Sequence, residues 1–193
     1  MSLHLPDLLR VLAGIFAAPG PLPRADLETA AEAFWISKNL KADLDRLLEA
    51  EPCDWPVVYA DHFLVSRAHP LLYLEASVHR TGLLQDPALL HDLDHHYEAF
   101  GFDVPEGRSP DHLAIELEAL AAGLERLGGT NEEELAHLVA NLTGLIDLHL
   151  LPLLRELTAL SRFRTLHPAY AAALAAATSS VDLVRVGIFA FTD

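Results

Sequence analysis

Between residues 91 and 96 the chain reads His-Asp-Leu-Asp-His-His. His91 and His95 stand four residues apart, which on a helix puts two imidazoles over one face, and Asp92, Asp94 and His96 add further donors. Such a set suits zinc or a dinuclear centre, and an all-α metal-dependent hydrolase using His91, His95 and His96 is one function it allows. The spacing lacks the glutamate of a His-Glu-x-x-His site, and His62, His69, His112 and His149 follow no ligand spacing. With 11 histidines in 193 residues close pairs arise without a metal, so no metal ligand is assigned.

Other chemistries leave weaker traces. Cys53 lies between Glu51 and Asp54, an anionic setting that raises a thiol pKa instead of activating it. The chain has no phosphate-cradling glycine-rich loop, no Gly-x-Ser-x-Gly and no basic stripe for nucleic acid. Trp55, Tyr59 and Phe63 share one helix face at i, i+4 and i+8. That stripe serves either as core or as the wall of a groove, where aromatic rings give large contact area at low entropic cost.

The elements that must position these groups are helical. Half of the chain is apolar, leucine and alanine dominate, and β-branched residues are sparse, which favours helix over strand. Leu5, Leu8, Leu9, Leu12 and Phe16 recur at helical spacing until Pro19-Gly20-Pro21. Helices are predicted over about 25–34, 40–48, from Trp55 behind an Asp54 cap, over Tyr73–Arg80 up to Gly82, and from Pro87 to about Phe100 before Gly101. Ser109, Pro110 and Asp111 suit cap, first position and first turn of a helix whose seam is Leu113, Leu117, Leu120, Leu124 and Leu127. On that helix Asp111 and Glu118 are expected to point away from the seam, with His112 and Glu116 together on a flank. Asn131 before three glutamates caps the next helix, and Pro152 is expected to interrupt or kink the stretch beyond it. Segments 166–177 and 181–191 close the chain as helices, the last with strand character as an alternative. The expectation is an all-α helical bundle in a single domain over 1–193, with any subdivision near 103–108.

One cysteine excludes an intrachain disulfide framework and fits a reducing compartment. The segment 1–19 lacks a basic start and reads as an amphipathic helix instead of a signal peptide. No apolar run reaches the roughly 18 residues that span a bilayer. A cytoplasmic protein without stable membrane insertion is expected. The net charge of −15 is uneven, with 17 acids against 4 arginines across residues 51–134. Such a surface is soluble, repels nucleic acid and attracts a basic partner.

Three patches carry a resemblance. They are Tyr59-x-x-x-Phe63, then His69-Pro70 through Tyr73-Leu74-Glu75-Ala76-Ser77-Val78, then Ser109-Pro110-Asp111-His112-Leu113 with Glu116. In order and spacing they resemble the TorD/DmsD family of cytoplasmic chaperones that mature molybdenum oxidoreductases, and more loosely its NarJ relatives. The middle patch carries extra residues relative to the family's Tyr-Glu-Ser-Val, and His149-Leu150-Leu151-Pro152 resembles a looser C-terminal pattern. The resemblance implies an all-helical, non-catalytic protein without a cofactor. Its partner would be the catalytic subunit of a molybdenum oxidoreductase, met through its twin-arginine leader peptide, and self-association stays open. The residues it implies in partner binding are Tyr59, Phe63, Tyr73, Glu75, Pro110, Asp111, His112 and Glu116. A carboxylate such as Glu75 can take an arginine in a bidentate contact.

Overall fold

The helix ends signalled by Asp54, Gly82, Asp86, Gly101 and Asn131 fall where the sequence puts them. The computed structural model describes residues 4–18, 20–34, 37–50, 54–64, 72–163 and 166–189, so Cys53, His69 and Pro70 lie outside the described residues. Helix α1 (Leu5–Ala17) buries Leu8, Leu9, Leu12 and Phe16, the predicted stripe. Then come α2 (Arg24–Ala33), α3 (Lys38–Glu49) and α4 (Trp55–Phe63). The Asp54 carboxylate accepts the Val57 N–H at the start of α4, with Pro56 in the first turn. Helix α5 (Ala76–Thr81) ends at Gly82 with φ +74, a left-handed cap that glycine takes without strain. Helix α6 (Pro87–Phe100) begins where Asp86 accepts the Ala88 and Leu89 N–H groups and ends at Gly101 with φ +66.

Helix α7 (Leu113–Leu127) is the central element. It packs against α1, α6 and α8 (Glu132–Gly144), and α8 is capped by Asn131 accepting from Glu133 and Glu134. A π-helical turn (Leu145–Leu150) and α9 (Leu151–Phe163) continue α8 without a break, and α10 (Pro168–Phe189) packs on α3 and α9. Helix α1 touches both α7 and α10, so the two halves either side of 103–108 share one contiguous core. Arg10 grips Glu125 with two bonds of 2.5 and 2.6 Å, which ties α1 to α7. Both side chains are about half exposed, so the pair contributes roughly 0–1 kcal/mol. Each fully buried leucine on α1 contributes about 1.5–3 kcal/mol, so burial holds this helix.

The all-α expectation is met, with no strand among the described residues, but four boundaries differ. The predicted helix over Tyr73–Arg80 starts only at Ala76, and the one predicted from Pro110 starts only at Leu113. Residues 74–76 and 111–113 pair with each other instead. Ala76 N–H donates to Asp111 O at 2.9 Å, Leu113 N–H donates to Leu74 O at 2.8 Å, and Glu75 and His112 form an isolated antiparallel bridge. An extended backbone engaged in that bridge cannot join a helix. Pro152 does not interrupt the chain but stands just after the π turn. Lacking an N–H, it leaves the Leu148 carbonyl without its usual donor, and the Arg80 guanidinium donates there in its place. Finally, Pro168–Phe189 is one continuous helix where two closing helices were expected, and the strand alternative for the second is not taken up. Thr178 and Ser180 return their hydroxyls to Leu174 O and Ala176 O, and Ser179 bonds Asp43 of α3 at 2.6 Å.

Two helical stretches, Glu132–Ser161 and Pro168–Ile188, are long and apolar enough to cross a membrane by length and composition, which the apolar runs of the sequence did not bring out. About half of each is buried inside the protein, where Leu142, Leu145, Ile146, Ala173 and Ala177 join the core.

Candidate functional site

The aromatic stripe faces inward along its length and leaves two rings at the edge. Tyr59 is buried and donates its hydroxyl to Phe16 O at 2.9 Å, while Trp55 and Phe63 are half-buried. Phe63 stacks edge-on against Tyr170 at 4.8 Å and Tyr59 at 5.2 Å, and Trp55 meets Tyr170 at 5.6 Å. His62 joins this cluster. Its Nε2 accepts the His167 N–H at 2.9 Å, so α4 is tied to the start of α10, and burial lowers its pKa. The opposite face of α4 carries Asp54, Val57, Asp61 and Leu64 at i, i+3, i+7 and i+10, all exposed. Val57 and Leu64 are 53 % and 51 % exposed, so this face alternates apolar side chains with carboxylates.

The second constellation centres on Asp111, which is fully buried. One carboxylate oxygen accepts from both the backbone N–H and the hydroxyl of Ser77, and the other accepts from the Ser109 hydroxyl at 2.5 Å. The Ser77 hydroxyl oxygen in turn accepts the Asp86 N–H at 3.0 Å, and Tyr97 donates to Pro110 O at 2.7 Å. The segment 109–112 is thereby bound to α5 and α6. Ser109 does not cap α7; His112 does, its Nδ1 accepting the Ala114 N–H at 3.1 Å. Burial, reinforced by the Arg108 guanidinium, lowers the His112 pKa from 6.5 to about 4, so the ring is neutral and keeps the lone pair the cap requires.

The expectation that Asp111 points away from the seam and that Glu116 shares a flank with His112 is therefore corrected: both acids are buried. Helix α7 is buried on more than its leucine seam, because α1, α6 and α8 surround it, and both acids are enclosed. Neither Glu116 oxygen has a hydrogen-bonding partner, and burial next to Asp111 pushes its carboxyl well above the usual range. Glu75 and Tyr73 are half-buried, and burial also raises Glu75. Glu75 and His112 face each other across the bridge and Pro110 lies beside them, so the second and third sequence patches form one site. Tyr59 and Phe63 pack on α1 and α10, and the Leu72 N–H donating to His62 O at 3.0 Å joins their helix to the second patch.

The third constellation regroups the histidines. His91 and His95 are exposed on α6, whereas His96 turns inward, so His91, His95 and His96 do not converge. The donors brought together are Asp92 and His96 of α6 with His149 of the π turn. His149 Nε2 lies 2.9 Å from Asp92 Oδ2, and the His96 and His149 rings are 5.5 Å apart. Burial, with Arg80 close by, lowers His149 to about 4. Sequence reasoning weighed His96 and Asp92 only with their neighbours and took His149 only as part of a looser pattern. The one local signal was Pro152, whose missing N–H accompanies the π turn that carries His149.

These sites describe an all-helical scaffold with buried polar ties beneath an acidic surface. A family model described as nitrate reductase delta subunit matches residues 25–159, and the chain belongs to that family. Its members are chaperones that mature molybdoenzymes and work with a nitrate-reductase-type catalytic subunit. The three patches read from the sequence lie inside the matched segment. No curated protein and no solved structure matches the chain.

Proposed function

We propose that this protein is a cytoplasmic, non-catalytic chaperone that binds the twin-arginine leader, and through it the apo-form, of a molybdopterin oxidoreductase catalytic subunit. Binding delays export until cofactor insertion is complete. The observation that carries this reading is the outer face of α4, where exposed Val57 and Leu64 alternate with exposed Asp54 and Asp61. A twin-arginine leader has a cationic start and an apolar stretch, and that face offers a match to each. Exposed acids of α6, the 103–108 loop and the start of α8 add to the negative field that would attract a cationic peptide to the protein.

In this reading Tyr73, Glu75, Pro110 and His112 form a second contact surface on the bridge, where the Glu75 carboxylate takes an arginine. Tyr59 and Asp111 act from beneath, Tyr59 by tying α4 to α1 and Asp111 by tying the 109–112 segment to α5, and Phe63 contributes its exposed edge. The test is calorimetric titration of leader peptides into the full chain at low and high salt. Binding that weakens with salt and with Asp54→Asn/Asp61→Asn, and is reduced by Val57→Ser, is the expected result. The reading fails if no twin-arginine leader binds and no molybdenum-enzyme subunit is retained in pull-downs.

A further inference from the structure

We infer that Asp92, His96 and His149 form a binding site for one divalent transition-metal ion of the zinc class, joining α6 to the π turn. The three side chains each offer a donor atom, and these atoms all lie within 4.8 Å of one another. Zinc bonds of about 2.0–2.1 Å set tetrahedral donors about 3.3 Å apart, so closure requires movements of about an ångström. Asp92 is half exposed and the two histidines are buried, so a metal reaches the site from solvent and meets imidazoles that are already ordered.

The hydrogen bonds around His96 select the tautomer a metal needs. Asn141 Nδ2 donates to His137 O at 2.9 Å, so its Oδ1 faces His96 Nδ1, also at 2.9 Å. That oxygen only accepts, which places the ring hydrogen on Nδ1 and the lone pair on Nε2. His96 Nε2 is buried and has no hydrogen-bonding partner, although His96 itself is only 7 % exposed. A histidine whose far nitrogen donates to a carbonyl oxygen while its near nitrogen waits in a cluster of donors has the arrangement of a metal ligand with its supporting shell.

The backbone is shaped to the same end. Gly144 leaves room for the His96 ring, since a Cβ there would stand 2.6 Å from its Cε1. The π turn begins at the next residue, and turns of this kind gather at functional sites because the extra residue re-aims a side chain. Here the side chain so placed is His149, 57 residues away from Asp92 in the chain. Two imidazoles with one carboxylate suit zinc, and iron(II) or cobalt(II) as its analogues, over the hard cations magnesium and calcium.

The experiment uses the full chain, tag removed and stripped with chelator, titrated with Zn²⁺ or Co²⁺ alone. The expected result is one equivalent bound, a visible Co²⁺ spectrum and a raised melting temperature. Asp92→Asn and His149→Gln should each weaken the affinity at least tenfold, and Asn141→Ala by about 10–100-fold. Asp92→Asn replaces an exposed group and keeps the fold, checked by circular dichroism. His91→Ala/His95→Ala, which removes the exposed histidine pair, should leave the affinity unchanged. Absence of stoichiometric binding at micromolar metal overturns the inference. So does binding that survives Asp92→Asn and disappears in His91→Ala/His95→Ala.

Discussion

His112 caps α7 only while it is neutral, and this makes the stability of the protein depend on pH in a calculable way. Its Nδ1 accepts the Ala114 N–H, so a protonated ring would set a hydrogen against a donor at the positive end of a helix. The folded-state pKa is about 4 against an ordinary 6.5. A group whose folded pKa is depressed below its unfolded value favours folding above the unfolded pKa, and here that is the neutral ring. As pH falls below 6.5 the unfolded chain takes up the proton first, and stability is lost down to about 4, where the loss levels off. A shift of this size corresponds to about 3.4 kcal/mol at its limit, and to about 2 kcal/mol at pH 5. The residue is only half-buried, so solvent screening reduces the pH 5 figure to about 1 kcal/mol. Asparagine caps well without titrating. The comparison is urea unfolding of the native chain and His112→Asn at pH 7.5 and pH 5. The variant should gain about 1 kcal/mol relative to the native chain on going to the lower pH. Equal pH dependence of the two proteins would refute the neutral-cap argument.

Three further outcomes are expected. Asp111→Asn removes one anionic acceptor from three donors, two of them buried, and should cost about 1–3 kcal/mol in denaturant unfolding; an unchanged midpoint would contradict its role in tying 109–112 to α5. Glu116 has a raised pKa, so as pH climbs past the ordinary carboxylate range the unfolded chain ionises while the folded one resists, and stability falls. Glu116→Gln should therefore raise the neutral-pH melting temperature and flatten its dependence on pH, and a lower melting temperature would count against it. Gly123→Ala puts a Cβ 2.7 Å from Leu142 and 3.0 Å from the Phe100 ring; overpacking of about 1–3 kcal/mol outweighs the helix-propensity gain of about 1 kcal/mol, so the melting temperature should drop and not rise.

How far the site was legible depends on where each partner lies along the chain. Asp86, Gly101 and Asn131 mark helix ends through bonds to residues at most four positions away, so their effect could be read directly. Ser109-Pro110-Asp111 shows the same local pattern and misleads, because the Asp111 carboxylate is taken by Ser77 and the following backbone by Leu74. The aromatic stripe of α4 was legible as a stripe, but that it packs on Tyr170 while the opposite face offers Val57 and Leu64 to solvent was not.

By itself the sequence determined the all-helical class, the local caps, the concentration of acid between residues 51 and 134, and the family. All of these follow from composition, short-range hydrogen bonding or motif order, which need no knowledge of what lies across the core. Only the tertiary structure decided that α7 is enclosed, so that Asp111 and Glu116 are buried, and that the histidine paired with Asp92 is His149 and not a neighbour on its own helix. Helical periodicity gives the direction of a side chain about its own axis. It carries no information on which other helix stands there, and that neighbour decides burial, protonation and shared chemistry.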